Sequence, residues 1–177
     1  MVHKDHVNLI IDGIGKSGGV WADLGSGSGA FTLALRDVAG EAVKIYSVDQ
    51  DRHSLEEQKQ RFSQMFPGTD ITYVVQSFVD PIDLPLLDGI IMANSLHYVE
   101  EQSALLKSIR KYLKPHGKLV LIEYNDDMGN QWVPYPVDYE KFITLASQSG
   151  FEPPKLLGKI PSQFLKEIYS AVTLRLS

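Results

Sequence analysis

The chain has 177 residues, 44% of them hydrophobic and 22% charged, with a formal net charge of −5 and no cysteine. This length suits one domain with a sizeable core. The composition excludes a disulfide framework and a thiolate metal site, and the acidic balance argues against a nucleic-acid grip built on clustered Lys and Arg. No apolar run reaches membrane-spanning length and the first residues carry no secretory leader pattern, so a cytoplasmic protein is the expectation.

Val7, Ile10, Ile11 and Ile14 share one face of a short N-terminal helix expected over residues 3–17. Gly19–Leu24 reads as the first strand. A loop with glycines at every second position follows, and Ala30, Phe31, Ala34, Leu35 and Val38 mark a helix that stops at Gly40. Val43–Val48 is the second strand, with Asp49 at its carboxyl end and Asp51 as cap of a helix running to Phe66. Ile71–Val75 is the third. Pro81 and Pro85 leave room only for loop or a single turn between it and the fourth strand, Asp88–Ala93. A helix over Val99–Tyr112 precedes Pro115-His116-Gly117, and Lys118–Glu123 is the fifth strand. Asp138 caps a helix carrying Tyr139, Phe142, Ile143 and Ala146. Two strands then follow with no helix between them, Lys155–Ile160 and Glu167–Leu174. Their connection is too short for a right-handed crossover, so the last strand should run antiparallel to its neighbour.

The loop Val20–Gly29, VWADLGSGSG, carries the most chemistry. Glycine lets the backbone turn sharply and approach a ligand, while the helix that follows aims free N–H groups at the same place. Gly25, Gly27 and Ala30 also satisfy the dinucleotide pattern, so the loop alone leaves a nicotinamide oxidoreductase open. Asp23 argues otherwise, because a carboxylate beside the loop opposes a pyrophosphate and suits an ammonium or sulfonium cation. The chain also has a single such unit, and the closing strand pair is foreign to a dinucleotide fold.

Asp23-Leu24-Gly25-Ser26-Gly27-Ser28-Gly29 fits acidic-x-Gly-x-Gly-x-Gly at every position. With Asp49, the segment Leu87–Val99 and the segment Leu113–Glu123 in order, the chain resembles the class I S-adenosylmethionine-dependent methyltransferase family over nearly its whole length. The resemblance implies an α/β, doubly wound, Rossmann-like fold: a seven-stranded mixed sheet of order 3-2-1-4-5-7-6 with the last inserted strand antiparallel. It implies one methyltransferase domain over 1–177 without a separate lid and S-adenosyl-L-methionine as cofactor, and the His and acidic spacings form no zinc signature, so no metal is expected. It also implies that Asp23, Leu24, Gly25, Ser26, Gly27 and Gln50 line the cofactor, that Asp49 holds the ribose, and that Ser77 and Phe78 stand near adenine. Ser77 departs from the acidic or amide residue common there.

Methyl transfer asks mainly for alignment, and a general base is needed only for an acceptor that carries a proton. His97, after the fourth strand, is the candidate base; the alternative is a histidine packed on the following helix. Asn94 is expected in the cofactor pocket, or else as a turn residue at the strand end. Tyr124, Trp132 and Tyr135 are candidate walls of an acceptor pocket, or pins that hold their loop to the sheet. A small-molecule acceptor is favoured because Ala93-Asn94-Ser95-Leu96 lacks the Asn/Asp-Pro-Pro-Tyr/Phe sequence that similar enzymes of the family it resembles use on amino groups of nucleobases and glutamine. A protein acceptor and a cofactor-binding module without catalysis remain the alternatives, and the oligomeric state is open. Gly15-Lys16-Ser17 resembles a phosphate loop but lacks its first glycine and its strand, and Asp126-Asp127 reads as an exposed turn.

Overall fold

A computed structural model describes residues 1–15 and 18–177. The elements are α1 (His3–Ile14), β1 (Gly19–Leu24), α2 (Ala30–Ala39), β2 (Val43–Asp49), α3 (Arg52–Met65), β3 (Asp70–Val75), β4 (Leu87–Ala93), α4 (Gln102–Ile109), β5 (Leu113–Tyr124), α5 (Tyr139–Gln148), β6 (Lys155–Pro161) and β7 (Glu167–Leu174). The seven strands form one sheet in the order β3-β2-β1-β4-β5-β7-β6. Strands β1 to β5 pair in parallel, while β7 runs antiparallel to both β5 and β6.

Consecutive apolar residues serve both faces of the sheet, as buried parallel strands require. Trp21, Ile45, Ile91, Val120 and Ile122 pack with Ile10, Phe31 and Phe62 of α1–α3. Ala22, Ile90, Met92, Leu119 and Leu121 pack with Leu105, Leu106 and Phe142 of α4 and α5. Glycine at position 89 of β4 has a packing cause, because a Cβ there would lie 2.2 Å from the Trp21 ring.

Three expectations shift. The N-terminal helix is described to Ile14, and Lys16 and Ser17, with the phosphate-loop-like triplet they complete, lie outside the described residues. The helix expected over Val99–Tyr112 is α4 alone, flanked by single 3-10 turns at Leu96–Tyr98 and Arg110–Tyr112. Pro115-His116-Gly117 does not separate helix from strand. It is absorbed into β5 as an irregularity, with His116 at φ 60° and the β4–β5 register jumping from Leu87↔Leu113 to Gly89↔Lys118. Residues 76–86 run as loop and turn, held by the Tyr112 hydroxyl, which accepts from the Ile82 N–H at 2.9 Å.

Candidate active site

Strand order reverses beside β1, where β2 leads one way and β4 the other, and open α/β sheets bind ligands at the carboxyl ends of strands flanking such a point. There the glycine loop leaves β1. The N–H groups of Gly25 and Ser26 donate to the Val48 carbonyl, which ties the loop to the end of β2. Gly25 has φ 78°, and a Cβ on it would lie 2.6 Å from the Ser95 Cβ and 3.1 Å from the Phe78 ring. Only glycine permits that approach.

Asp49 accepts from the Gly27 N–H at one oxygen and from the Asp51 N–H at the other, both at 2.8 Å. Each carboxylate oxygen keeps a lone pair for a ligand hydroxyl. Asp49, Gln50, Gly25, Ser77, Phe78 and Asn94 line one cavity of about 370 Å³. Val79, Ser95, Tyr98 and Val99 complete it. Asp23, Gly25, Ser26, Gly27, Asn94 and the helix residue Phe31 line a second cavity, of about 270 Å³, on the other side of the loop. Leu24 is fully buried and lines neither; its carbonyl accepts from the Ser95 hydroxyl at 2.9 Å.

Asp23 is buried, and burial pushes its carboxyl up to about 7, with the Asp49 charge adding to the rise and the Thr32 hydrogen bond opposing it. Its Oδ2 accepts from the Thr32 hydroxyl at 2.6 Å, while Oδ1 has no partner among the described residues. The Asn94 Oδ1 is likewise buried and unpartnered. Two orphaned acceptors on the walls of one cavity suit an incoming ammonium, which donates and carries the complementary charge.

Behind Asp23 runs a chain that the sequence reading missed. Gln58, fully buried on α3, donates from Nε2 to the Thr32 hydroxyl at 3.0 Å and accepts the Ser47 hydroxyl at 2.6 Å. Ser47 lies 2.7 Å from the Ser26 hydroxyl. Because the one Ser47 proton goes to the Gln58 carbonyl oxygen, Ser26 donates to Ser47, and the chain runs from the glycine loop through Gln58 to Asp23.

His97 stands on the turn after β4 and is buried. Its Nδ1 lies 2.7 Å from Glu123 Oε2, and its backbone N–H donates to Oε1 of the same carboxylate at 3.2 Å. Glu123, fully buried near the end of β5, therefore holds the imidazole in one orientation and one tautomer, leaving Nε2 to accept a proton. His97, Tyr124 and Trp132 line a third cavity of about 260 Å³, with Tyr98, Phe164 and Asn94. Asn94 borders all three cavities. Its φ of 50° and its N–H, donated to the Ile122 carbonyl at 2.8 Å, fasten it at that junction.

Tyr135 lines none of these cavities; its backbone N–H donates to the His97 carbonyl at 3.0 Å, so it braces His97 from behind. Asp126 is no exposed turn residue. It is buried and paired with Lys166 at 3.3 Å, and its carboxyl is held below the usual range by the Met128 N–H and by Lys166. Among the described residues, no group of three His, Cys, Asp or Glu is placed to hold a metal. Of the residues missed, Glu123 had a signal, a lone carboxylate in the apolar run Lys118–Tyr124. Gln58 and Phe164 had none.

A family model described as a methyltransferase domain matches residues 16–165. The chain belongs to the S-adenosylmethionine-dependent methyltransferase family. Among curated proteins, this methyltransferase domain is 29% identical over 118 residues to the 2-phytyl-1,4-naphtoquinone methyltransferase of Trichormus variabilis, covering 66% of this chain and 52% of that one. The chain spans about half the length of the curated relatives it matches. Among solved structures, magnesium protoporphyrin IX methyltransferase of Synechocystis with bound S-adenosylmethionine shares the fold at a TM-score of 0.77, with 18% identity and coverage of 98% of this chain and 79% of that one. A methyltransferase of Aquifex aeolicus does so at a TM-score of 0.72, with 16% identity over 99% of this chain and 100% of that one.

Proposed function

We propose that this domain transfers a methyl group from S-adenosylmethionine to a hydroxyl group on a small molecule, with His97 as general base. The observation that carries the reading is the buried His97–Glu123 pair, at 2.7 Å, on the wall of a cavity that shares Asn94 with both glycine-loop cavities. A binding module without catalysis has no use for that pair, because a carboxylate buried against one imidazole nitrogen costs desolvation and returns only orientation.

The residues fit the cofactor. Asp49 would take ribose hydroxyls, Asp23 Oδ1 and Asn94 Oδ1 would take the ammonium, and Ser77 and Phe78 would border the base. When bound, the cofactor supplies a methyl group on a sulfonium, a good leaving group. His97 then removes the acceptor's proton at Nε2, and Glu123 stabilises the resulting imidazolium through Nδ1–H. Asn94 and Ser95 set the distance between the two sides, which is where alignment yields rate. The Trichormus variabilis relative is named for 2-phytyl-1,4-naphtoquinone, an organic compound and not a protein, which agrees with a small-molecule acceptor here. A cytoplasmic site of action is part of this proposal and rests on the sequence alone.

The test is transfer of isotope-labelled methyl from S-adenosylmethionine into a low-molecular-mass cell extract. The wild-type domain should label a small molecule. His97→Gln should bind the cofactor normally and lose turnover by about 10²–10⁴-fold. Label entering polypeptide alone would assign a protein acceptor, and equal turnover by His97→Gln would remove the base.

A further inference from the structure

The lining of the third cavity specifies the acceptor more narrowly than the reaction does. Tyr98, Tyr124, Trp132 and Phe164 contribute rings, and Asn94, His97 and Val133 complete the wall. The His97 ring centroid lies 4.3 Å from that of Tyr98 and 5.8 Å from that of Tyr124, and Tyr124 lies 5.6 Å from Phe164. These tilted rings touch one another and form a continuous aromatic wall, against which another ring can pack. Among the described residues, no Lys, Arg, Asp or Glu stands on the lining. Tyr124 stays neutral as well, because burial and the neighbouring Glu123 charge raise its phenol above the usual range. An anionic acceptor would therefore find no counter-charge, and a saturated polyol would leave the ring faces unused. At about 260 Å³ the space falls just below the usual range for a small-ligand site, which suits a compact ring compound.

We propose that the acceptor is an uncharged aromatic alcohol, a phenol or naphthol, whose ring packs against the wall formed by Tyr124, Trp132 and Phe164 and whose hydroxyl meets His97 Nε2. This rests on the methyltransferase reading above. In the transfer the acceptor's O–H bond breaks toward Nε2 while its oxygen bonds to the methyl carbon. The carbon–sulfur bond breaks at the same time, its electron pair stays on sulfur as a neutral thioether, and the proton remains on His97 until water takes it. Trp132 and Phe164 are specificity residues here. They are 60% and 50% exposed, so each can be cut back without opening the core.

The experiment is calorimetric titration of the protein saturated with S-adenosylhomocysteine, using 1-naphthol, its saturated counterpart decahydro-1-naphthol, and 1-hydroxy-2-naphthoate. The expected result is binding of 1-naphthol at least about tenfold tighter than either analogue. Trp132→Ala and Phe164→Ala should each weaken it about three- to tenfold, while S-adenosylhomocysteine binds as to the wild type. Equal affinity for the saturated or carboxylated ring, no binding of 1-naphthol, or no effect of both variants overturns the acceptor class. Absence of heat with S-adenosylhomocysteine in the preceding step overturns the methyltransferase reading itself, so the two failures are distinguishable.

Discussion

Replacing Asp23 by Asn should make the free protein more stable and the cofactor complex weaker. Burial raises the Asp23 carboxyl from 3.8 to about 7, roughly three pKa units. At 1.36 kcal/mol per unit, ionised Asp23 costs the free protein up to about 4 kcal/mol. Below pH 4 the carboxyl is protonated in both folded and unfolded chains, and the penalty is absent. Between pH 4 and 7 the unfolded chain ionises and the folded one does not, so wild-type stability falls by about 1.4 kcal/mol per pH unit and then levels off. Asn keeps the Thr32 hydrogen bond without the charge. Thermal unfolding of ligand-free protein should therefore show little difference at pH 4 and a variant Tm at least about 5 °C higher at pH 8, at ~2–4 °C per kcal/mol for a chain of this size. Wild-type affinity for S-adenosylmethionine should fall as pH drops below 7, and the variant should bind weakly at every pH. A variant less stable than wild type at pH 8, or a stability difference that does not change with pH, would refute the reasoning.

Gln58→Leu removes the acceptor of the Ser47 proton and a donor to the Thr32 hydroxyl, leaving Ser47 with Ser26 and Thr32 with Asp23, and should cost about 1–3 kcal/mol by urea denaturation, with weaker cofactor binding because the chain between the glycine loop and Asp23 is cut. If the variant kept both properties, the chain behind the glycine loop would have no role. Glu123→Gln lets the imidazole carry its proton on either nitrogen and should lower kcat by about 10²–10⁴-fold. Its cofactor Kd should stay at the wild-type value, and a loss of cofactor affinity with kcat intact would place Glu123 in the fold alone.

Strand and helix positions were legible because periodicity, caps and turn residues agreed locally. Asp51 and Asp138 cap α3 and α5 as expected, accepting from His53 and Lys141. The positions of the glycine loop and Asp49 beside one cavity were legible for a similar reason, since the loop is written in consecutive residues and Asp49 ends the next strand. What escaped depends on long-range packing. Gln58 looks like any polar helix residue until α3 lies against β2 and α2. Phe164 joins Tyr124 only when the β6–β7 hairpin folds back beside β5. Of the two readings for Tyr135, the structure shows the loop pin, because its backbone holds the turn at His97 while its ring stays out of the cavity, and the sequence could not choose between them. Pro115 and Gly117 signal a break in sequence, yet β4 tolerates their irregularity through a register shift that no local pattern reveals.

Asp49 joins the glycine loop to the end of β2 and lines the largest of the three cavities at the switch point. The most direct measurement is titration of wild type and Asp49→Ala with S-adenosylhomocysteine at one pH and temperature. Charge-assisted hydrogen bonds contribute about 1.5–3 kcal/mol, so the variant should bind at least about tenfold more weakly. Equal dissociation constants for the two proteins would contradict the placement of the cofactor at this loop.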